Sequence, residues 1–322
     1  MNYIPVIVTY NRLDSLKKAL EKLQNQTLNP YKIIVIDNHS TDGTENYMKE
    51  KFNASDQVKY YRLNENVGGS GGFSYGVKKA LDFNPDWVAL SDDDAFYDEK
   101  YFEIINKYIV KYPMIKCFCG EVLLDGGNTL QLSQRQNISD WITLRRKNVP
   151  EDLYKQDNFT CDTTTFVGNV ISADLIKKIG LPRNDFFIWI DDIEYSCRMH
   201  NDTKLMVIPA AKVYHKDPLG TVKKKETKET EAKSALDRNI LTDGFKTYYG
   251  FRNSIVLREK YSKHPRLSRI YTMLLLILNE FLILTKSAYK GKRKYLLKMF
   301  RDAYHDGYKE VMGRNDNYLP GK

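Results

Sequence analysis

Within the first hundred residues, four apolar runs each break off into a polar stretch, and helical spacing recurs between them. Ile4 to Thr9 leads into Tyr10-Asn11-Arg12 and then into Leu13, Leu16, Leu20 and Leu23, the pattern of a strand, a loop and an amphipathic helix. Ile33 to Ile36 ends in Asp37-Asn38-His39-Ser40-Thr41-Asp42-Gly43. Val58 to Leu63 is followed by Asn64-Glu65-Asn66-Val67-Gly68-Gly69-Ser70-Gly71-Gly72 and a helix carrying Phe73, Val77, Ala80 and Leu81. Trp87 to Leu90 ends in Ser91-Asp92-Asp93-Asp94-Ala95. Strands that are apolar throughout suit a parallel sheet covered on both faces. The expected fold is therefore an α/β doubly wound sheet, whose ligands gather at the carboxyl ends of the strands.

From Lys116 to Ala173 the pattern is mixed, with short strands near Cys117 to Leu124 and Phe166 to Ser172. A helix starts at Asp174, and Gly180-Leu181-Pro182 leads on to Phe186-Phe187-Ile188-Trp189-Ile190-Asp191-Asp192-Ile193-Glu194. A strand at Leu205 to Ile208 and another ending in Val213-Tyr214-His215 close a first domain, residues 1–218. Lys223 to Arg238 holds six basic and four acidic residues, which predicts a mobile loop within a linker, 219–245. Dense Leu, Ile and Met from Tyr248 to about Tyr308 predict consecutive helices in a C-terminal region, 246–322.

An apolar share of 42% and a charged share of 28% exclude collagen-like, disulfide-scaffold and wholly disordered chains. The formal charge of +9 asks for an anionic partner without naming it. Positive charge concentrates after residue 223 while the strand ends carry aspartates, so nucleic acid is not the expected partner. Cys117, Cys119, Cys161 and Cys197 are scattered, the usage of a reduced cytoplasmic protein, and no signal peptide is expected ahead of the first strand. Ile270 to Leu284, interrupted by Asn279 and Glu280, falls short of the ~20 residues of a spanning helix.

Four features could carry chemistry. In β geometry Asp92 and Asp94 share a face while Asp93 points away. Two carboxylates converging at a strand end suit Mg2+ or Mn2+ with a substrate phosphate; a solvated acidic turn is the alternative. The glycine cluster, lying between a strand and a helix, lets backbone amides approach a phosphate or sugar, or is a flexible turn. Asp191, Asp192 and Glu194 among Phe186, Phe187 and Trp189 suit a general base beside a sugar-stacking wall, or simply an acidic first helical turn. His215 is structural unless it comes near Asp92 and Asp94, where it would complete a metal site.

Val8-Thr9-Tyr10-Asn11-Arg12, Val35-Ile36-Asp37-Asn38-His39-Ser40-Thr41-Asp42-Gly43-Thr44, the glycine cluster and the aspartate triad together resemble glycosyltransferase family two with the GT-A fold, over about residues 3–218. Within that family Asn66 to Phe73, Asp92 to Ala95, Phe187 to Tyr195 and Tyr214-His215 are most similar to bacterial galactofuranosyltransferases and their rhamnosyltransferase relatives. Tyr248-Tyr249-Gly250-Phe251-Arg252-Asn253 resembles the start of the C-terminal helices in those enzymes.

The resemblance implies an inverting enzyme using Mn2+ or Mg2+ and a nucleotide sugar, UDP-galactofuranose above dTDP-rhamnose or UDP-glucose. The acceptor would be a polysaccharide or lipid-linked glycan. Asp92, Asp94 and His215 would hold the metal. Thr9, Asn11, Arg12, Asp37, Asn66, Gly68, Gly69 and Asp93 would border the donor. Asp192 would be the base with Asp191 as alternative, and Trp189 and Glu194 would face the acceptor. A non-catalytic sugar-nucleotide module is the competing class. The basic and apolar residues from Lys286 to Arg301, among them Tyr289, Tyr295, Leu296, Leu297, Met299 and Phe300, suit a helix lying on an anionic membrane at the inner face of the cell, or a packed subdomain or homo-oligomer interface.

Overall fold

The computed structural model describes residues 1–216 and 244–319. The charged stretch from Lys223 to Arg238, expected to be a mobile loop, lies outside the described residues.

The chain divides into two compact units. The first contains Met1–Asn137, Lys147–Asn184 and, among the described residues, 192–216. Its sheet runs β3(Val58–Arg62)–β2(Ile33–Asp37)–β1(Tyr3–Thr9)–β4(Trp87–Asp92)–β11(Asn169–Ser172)–β6(Cys117–Leu124)–β12(Leu205–His215)–β5(Ala95–Tyr97), and β9(Phe159–Cys161) pairs with β12. β3, β2, β1 and β4 are mutually parallel, as is the β6–β12 pair; β11 and β5 run antiparallel to their neighbours. A separate sheet orders β10(Thr163–Thr164), β7(Arg135–Asp140) and β8(Arg145–Asn148).

Alternation along β1 and β2 decides which helices cover which face, because successive side chains point to opposite sides. Tyr3, Ile7, Ile33 and Val35 join one buried cluster with residues of α1(Leu13–Gln24), α2(Thr44–Phe52) and α4(Tyr101–Lys111). Ile4, Val6, Ile34 and Ile36 join the other, with α3(Gly68–Leu81), α5(Ala173–Ile179) and α6(Asp191–Met199). Both faces are covered, which is why these strands are apolar up to their carboxyl ends, where Thr9 and Asp37 are buried with hydrogen-bond partners.

The glycine cluster belongs to α3 rather than to a loop before it. A Cβ on Gly72 would come within 2.6 Å of Val8 Cγ1, and one on Gly76 within 2.3 Å of Val6 Cγ1. These two glycines let the helix sit close on β1, whereas a Cβ on Gly69 would meet open space. The strand expected from Phe166 begins only at Asn169, because Gly168 turns the chain at φ 74°. The two short strands expected between Leu205 and His215 are one, with a register shift between Ile208 and Lys212 against β6.

The second unit contains Ile138–Arg146, Asp185–Asp191 and, among the described residues, 244–319. Its helices are α7(Gly244–Tyr261), α8(Pro265–Thr285) and α9(Arg293–Tyr308). Short segments from the N-terminal half are tied to it by hydrogen bonds: Lys263 N–H to the Trp141 carbonyl at 2.9 Å and Ser262 Oγ to the Ile142 carbonyl at 2.7 Å. One expectation for this region changes and one pair of alternatives is narrowed. Helix α8 has 21 residues, long and apolar enough to cross a membrane by length and composition, because it starts five residues before the apolar run that was counted. Of the two expectations for Lys286 to Arg301, these residues follow the packed subdomain: Leu296, Met299 and Phe300 are buried with Tyr248, Tyr249 and Ile283.

Candidate active site

Strand β4 ends at Asp92, and Asp93 and Asp94 form the turn into β5. The expected strand alternation therefore does not operate beyond Asp92: a turn, not a pleat, sets the direction of Asp94. His215 enters through strand pairing, since β12 lies antiparallel to β5 with His215 opposite Ala95. One ligand atom from each of Asp92, Asp94 and His215 lies within 4.8 Å of the others, with His215 Nε2 3.3 Å from Asp94 Oδ1.

The imidazole tautomer follows from its neighbour. Gln131 Nε2 donates to the His215 carbonyl at 3.0 Å, which leaves Gln131 Oε1 to accept from His215 Nδ1, also at 3.0 Å. Nδ1–H is thereby committed to Gln131, and Nε2 is the nitrogen facing the two aspartates: it donates to Asp94 while the ring is protonated, and offers a lone pair to a metal once that proton leaves. Gln131 lies in the stretch where the sequence showed no pattern, and its value depends on a contact across 84 positions; no local signal marks it. Gln131→Leu should loosen this orientation and weaken Mn2+ binding by roughly 10–100-fold, as loss of an outer hydrogen-bond partner does. Calorimetric titration with MnCl2 checks this; affinity equal to wild type would count against it.

Asp93 does not point away from functional groups. Its carboxylate accepts from Thr9 Oγ1 at 2.7 Å and from Arg12 Nη1 at 3.1 Å, and the same Arg12 nitrogen reaches Asp94 Oδ2 at 2.6 Å. Arg12 itself is half exposed. Burial raises Asp93 to about 6 against the pull of Arg12 and Thr9. Burial, then repulsion from Asp94, raises Asp92 to about 7. Burial opposes ionisation of Asp94 too, but its bond to His215 and the charge of Arg12 hold it below the ordinary carboxylate range. Three carboxylates thus share one guanidinium. Two carboxylate oxygens and the His215 nitrogen, once it gives up its proton, fit a divalent cation such as Mn2+ or Mg2+, whose charge would balance the carboxylates.

The other expected donor residues lie around the same strand ends. Asn11 takes φ 52° and accepts from Thr41 N–H at 2.7 Å. Asp37 is fully buried, taking Ser40 N–H at 2.7 Å and Tyr60 OH at 2.6 Å, so it organises the loop after β2 rather than presenting an open edge. Asn66 Oδ1 accepts from Gly68 N–H at 2.8 Å at the start of α3. Asn38, not singled out in the sequence, links these loops by accepting from Val67 N–H and donating to the Gly68 carbonyl, each at 3.0 Å. Gly68 is at φ 76°.

The acidic pair opens α6, as the bland alternative expected, and Asp192 Oδ1 accepts from Ile193 N–H at 2.7 Å. Glu194 is corrected: its side chain is 1% exposed and bound by Arg198 Nε at 3.0 Å and Nη2 at 2.6 Å, so it anchors the helix and offers no surface to an acceptor. Trp189 remains exposed at 37%.

Within the second unit, the loop before Asp191 is held in an uncommon backbone. Phe187, Trp189 and Ile190 take φ of 65°, 66° and 72°, conformations that cost on the order of 1–3 kcal/mol each for side chains of this kind. Asn253 Nδ2 lies within hydrogen-bond distance of three carbonyls, those of Phe186 at 3.0 Å, Ile188 at 3.1 Å and Trp189 at 2.9 Å. Arg252 Nη2 adds a bond to the Phe186 carbonyl at 3.0 Å. Gly250 is required because a Cβ there would fall 2.8 Å from the Trp189 ring. The sequence picked out this motif by resemblance alone; the structure gives it a task.

A doubly wound sheet with an Asp-Asp-His trio at its strand ends is the GT-A architecture. The chain belongs to glycosyl transferase family 2, whose model matches residues 6–176. It is 28% identical over 197 residues to galactofuranosyltransferase GlfT1 of Mycobacterium tuberculosis (strain ATCC 25618 / H37Rv), covering 60% of this chain and 63% of that protein. To galactofuranosyltransferase GlfT1 of Mycolicibacterium smegmatis it is 33% identical over 196 residues, covering 60% and 64%. The matched region thus spans just under two-thirds of the length of these relatives. Among solved structures, GalNAc-T7 with UDP, GalNAc and Mn2+ superimposes with a TM-score of 0.60 at 16% identity, covering 97% of this chain and 56% of that one, a likeness of fold.

Proposed function

We propose that this chain is an inverting, metal-dependent galactofuranosyltransferase, moving galactofuranose from UDP-galactofuranose to a hydroxyl of a polysaccharide or lipid-linked glycan. The observation that carries the reading is the convergence of Asp92, Asp94 and His215 at the sheet's carboxyl ends. The similarity to two galactofuranosyltransferases supports the donor. Four buried cysteines outside any disulfide suit work in the reducing cytoplasm.

A divalent cation held by Asp92, Asp94 and His215 would neutralise the diphosphate and make it a better leaving group. Arg12, already oriented by Asp93 and Asp94, keeps further N–H donors for the same diphosphate. Thr9 and Asn11 hold that loop in shape, and Asn66, Gly68 and Gly69 border the donor. Asp192 takes the proton of the acceptor hydroxyl as its oxygen bonds to the anomeric carbon. The bond from that carbon to UDP breaks on the opposite side, so the configuration inverts. Asp191 is the alternative base, and the exposed Trp189 ring stacks on the acceptor sugar.

A donor panel tests this. With MnCl2 present, UDP-galactofuranose should be turned over and should raise Tm more than UDP-glucose or dTDP-rhamnose. Faster turnover of either competitor would overturn the donor assignment. Binding without any turnover, hydrolytic or to acceptor, would instead favour a non-catalytic module.

A further inference from the structure

Helix α8 buries a narrow seam, Ser268, Thr272, Asn279 and Ile283, against its own unit. Its opposite side carries Ile270, Leu274, Ile277, Leu278, Phe281 and Leu284, each more than half exposed. At 1.5 Å per residue this apolar stripe is about 20 Å long. Isolated exposed apolar residues are ordinary, but a continuous stripe of this size marks a covered surface.

We propose that this face docks on an anionic lipid bilayer, with α8 lying in the plane of the interface. Charge selects the occupant. Residues 261–301 contain ten Lys and Arg and one acidic residue, Glu280, which Arg301 binds at 2.6 Å. Lys263, Arg266 and Arg269 stand at one end of the stripe, and Lys290, Lys292 and Lys294 follow the other, all exposed. A second copy of the chain would set these cations against their own kind, whereas anionic headgroups complement them, each nearby cation strengthening attachment.

The packed side of α8 decides how it lies. Arg258, itself buried, donates to Thr272 Oγ1 at 3.1 Å, and Arg301 on α9 holds Glu280. A spanning α8 would draw these charged groups into hydrocarbon. A helix with one polar, packed side and one apolar, open side is matched by the interface instead. The face differs from the one weighed for membrane contact on the sequence, whose apolar residues on α9 are in the core. It is independent of which sugar is transferred.

Co-sedimentation of the full chain with vesicles tests the proposal. Wild type should pellet with phosphatidylcholine–phosphatidylglycerol vesicles at low salt, pellet poorly with phosphatidylcholine alone, and be released by high salt. Leu274→Glu with Leu278→Glu, both at exposed positions, should weaken partitioning at least about tenfold, since each substitution removes the insertion of a whole leucine side chain. Lys290→Glu with Lys294→Glu provides a second variant outside α8 and should also lower binding to the anionic vesicles; circular dichroism verifies that each remains folded. Wild type left in the supernatant, or unchanged binding by both folded variants, would overturn the proposal. Retention through high salt and alkaline carbonate would mean a spanning helix. Self-association in sedimentation velocity that the leucine variant abolishes, without vesicle binding, would assign the face to a second copy.

Discussion

Asp192→Asn should lower turnover by about 10² to 10⁴, the usual worth of a positioned general base, while UDP and Mn2+ affinities stay at wild-type values. The substitution keeps shape and the bond from Ile193 N–H to Oδ1, so the helix start is preserved. What it removes is an oxygen able to carry the acceptor's proton. A loss in kcat with unchanged metal titration would separate proton transfer from donor binding. Near-normal kcat would take Asp192 out of the base role, and a large loss in Asp191→Asn instead would transfer that role to its neighbour.

The second large effect is expected at Asp94. Asp94→Asn should reduce Mn2+ affinity by more than the roughly 10–100-fold foreseen for loss of the outer partner Gln131, because a direct ligand and a negative charge go together. Turnover should fall with it, partly restored at high MnCl2. Asp93 would keep Arg12 oriented through its 3.1 Å contact, so loss of the loop geometry is not the expected cause. Calorimetry reads the metal and Tm reads the fold. Unaltered Mn2+ affinity in a folded variant would remove Asp94 from the ligand set, and with it the role assigned to this trio.

The strand–helix alternation was legible because each unit is local: Ile33 to Ile36 suits a doubly covered sheet, and the aspartates that follow Ser91 mark the end of an apolar run. Less was legible in the glycine cluster. Its composition suits a loop as well as a helix start, and only the 2.6 Å and 2.3 Å approaches to Val8 and Val6 show that close packing requires Gly72 and Gly76. Glu194 looked like a site residue beside Asp191 and Asp192. Helical geometry turns it toward Arg198 four positions on, an i,i+4 partner that the sequence already contained. The acidic pair could be located at a helix start but not its supporting carbonyl bonds, since Asn253 lies more than sixty positions away.

By itself the sequence determined the sheet-forming runs, the polar strand ends and the excess of cations after residue 223, all of which follow from residue type and short-range periodicity. Only the tertiary structure decided that His215 stands beside Asp94, because that depends on β12 pairing with β5 in a single register that places His215 opposite Ala95. The same holds for the orientation of the imidazole by Gln131, and for which apolar helix face is open: α9 turns its apolar residues into the core, and α8, with a narrow polar seam, leaves most of its apolar residues outside. Periodicity records that a face exists; the packing of neighbouring helices determines whether it is covered.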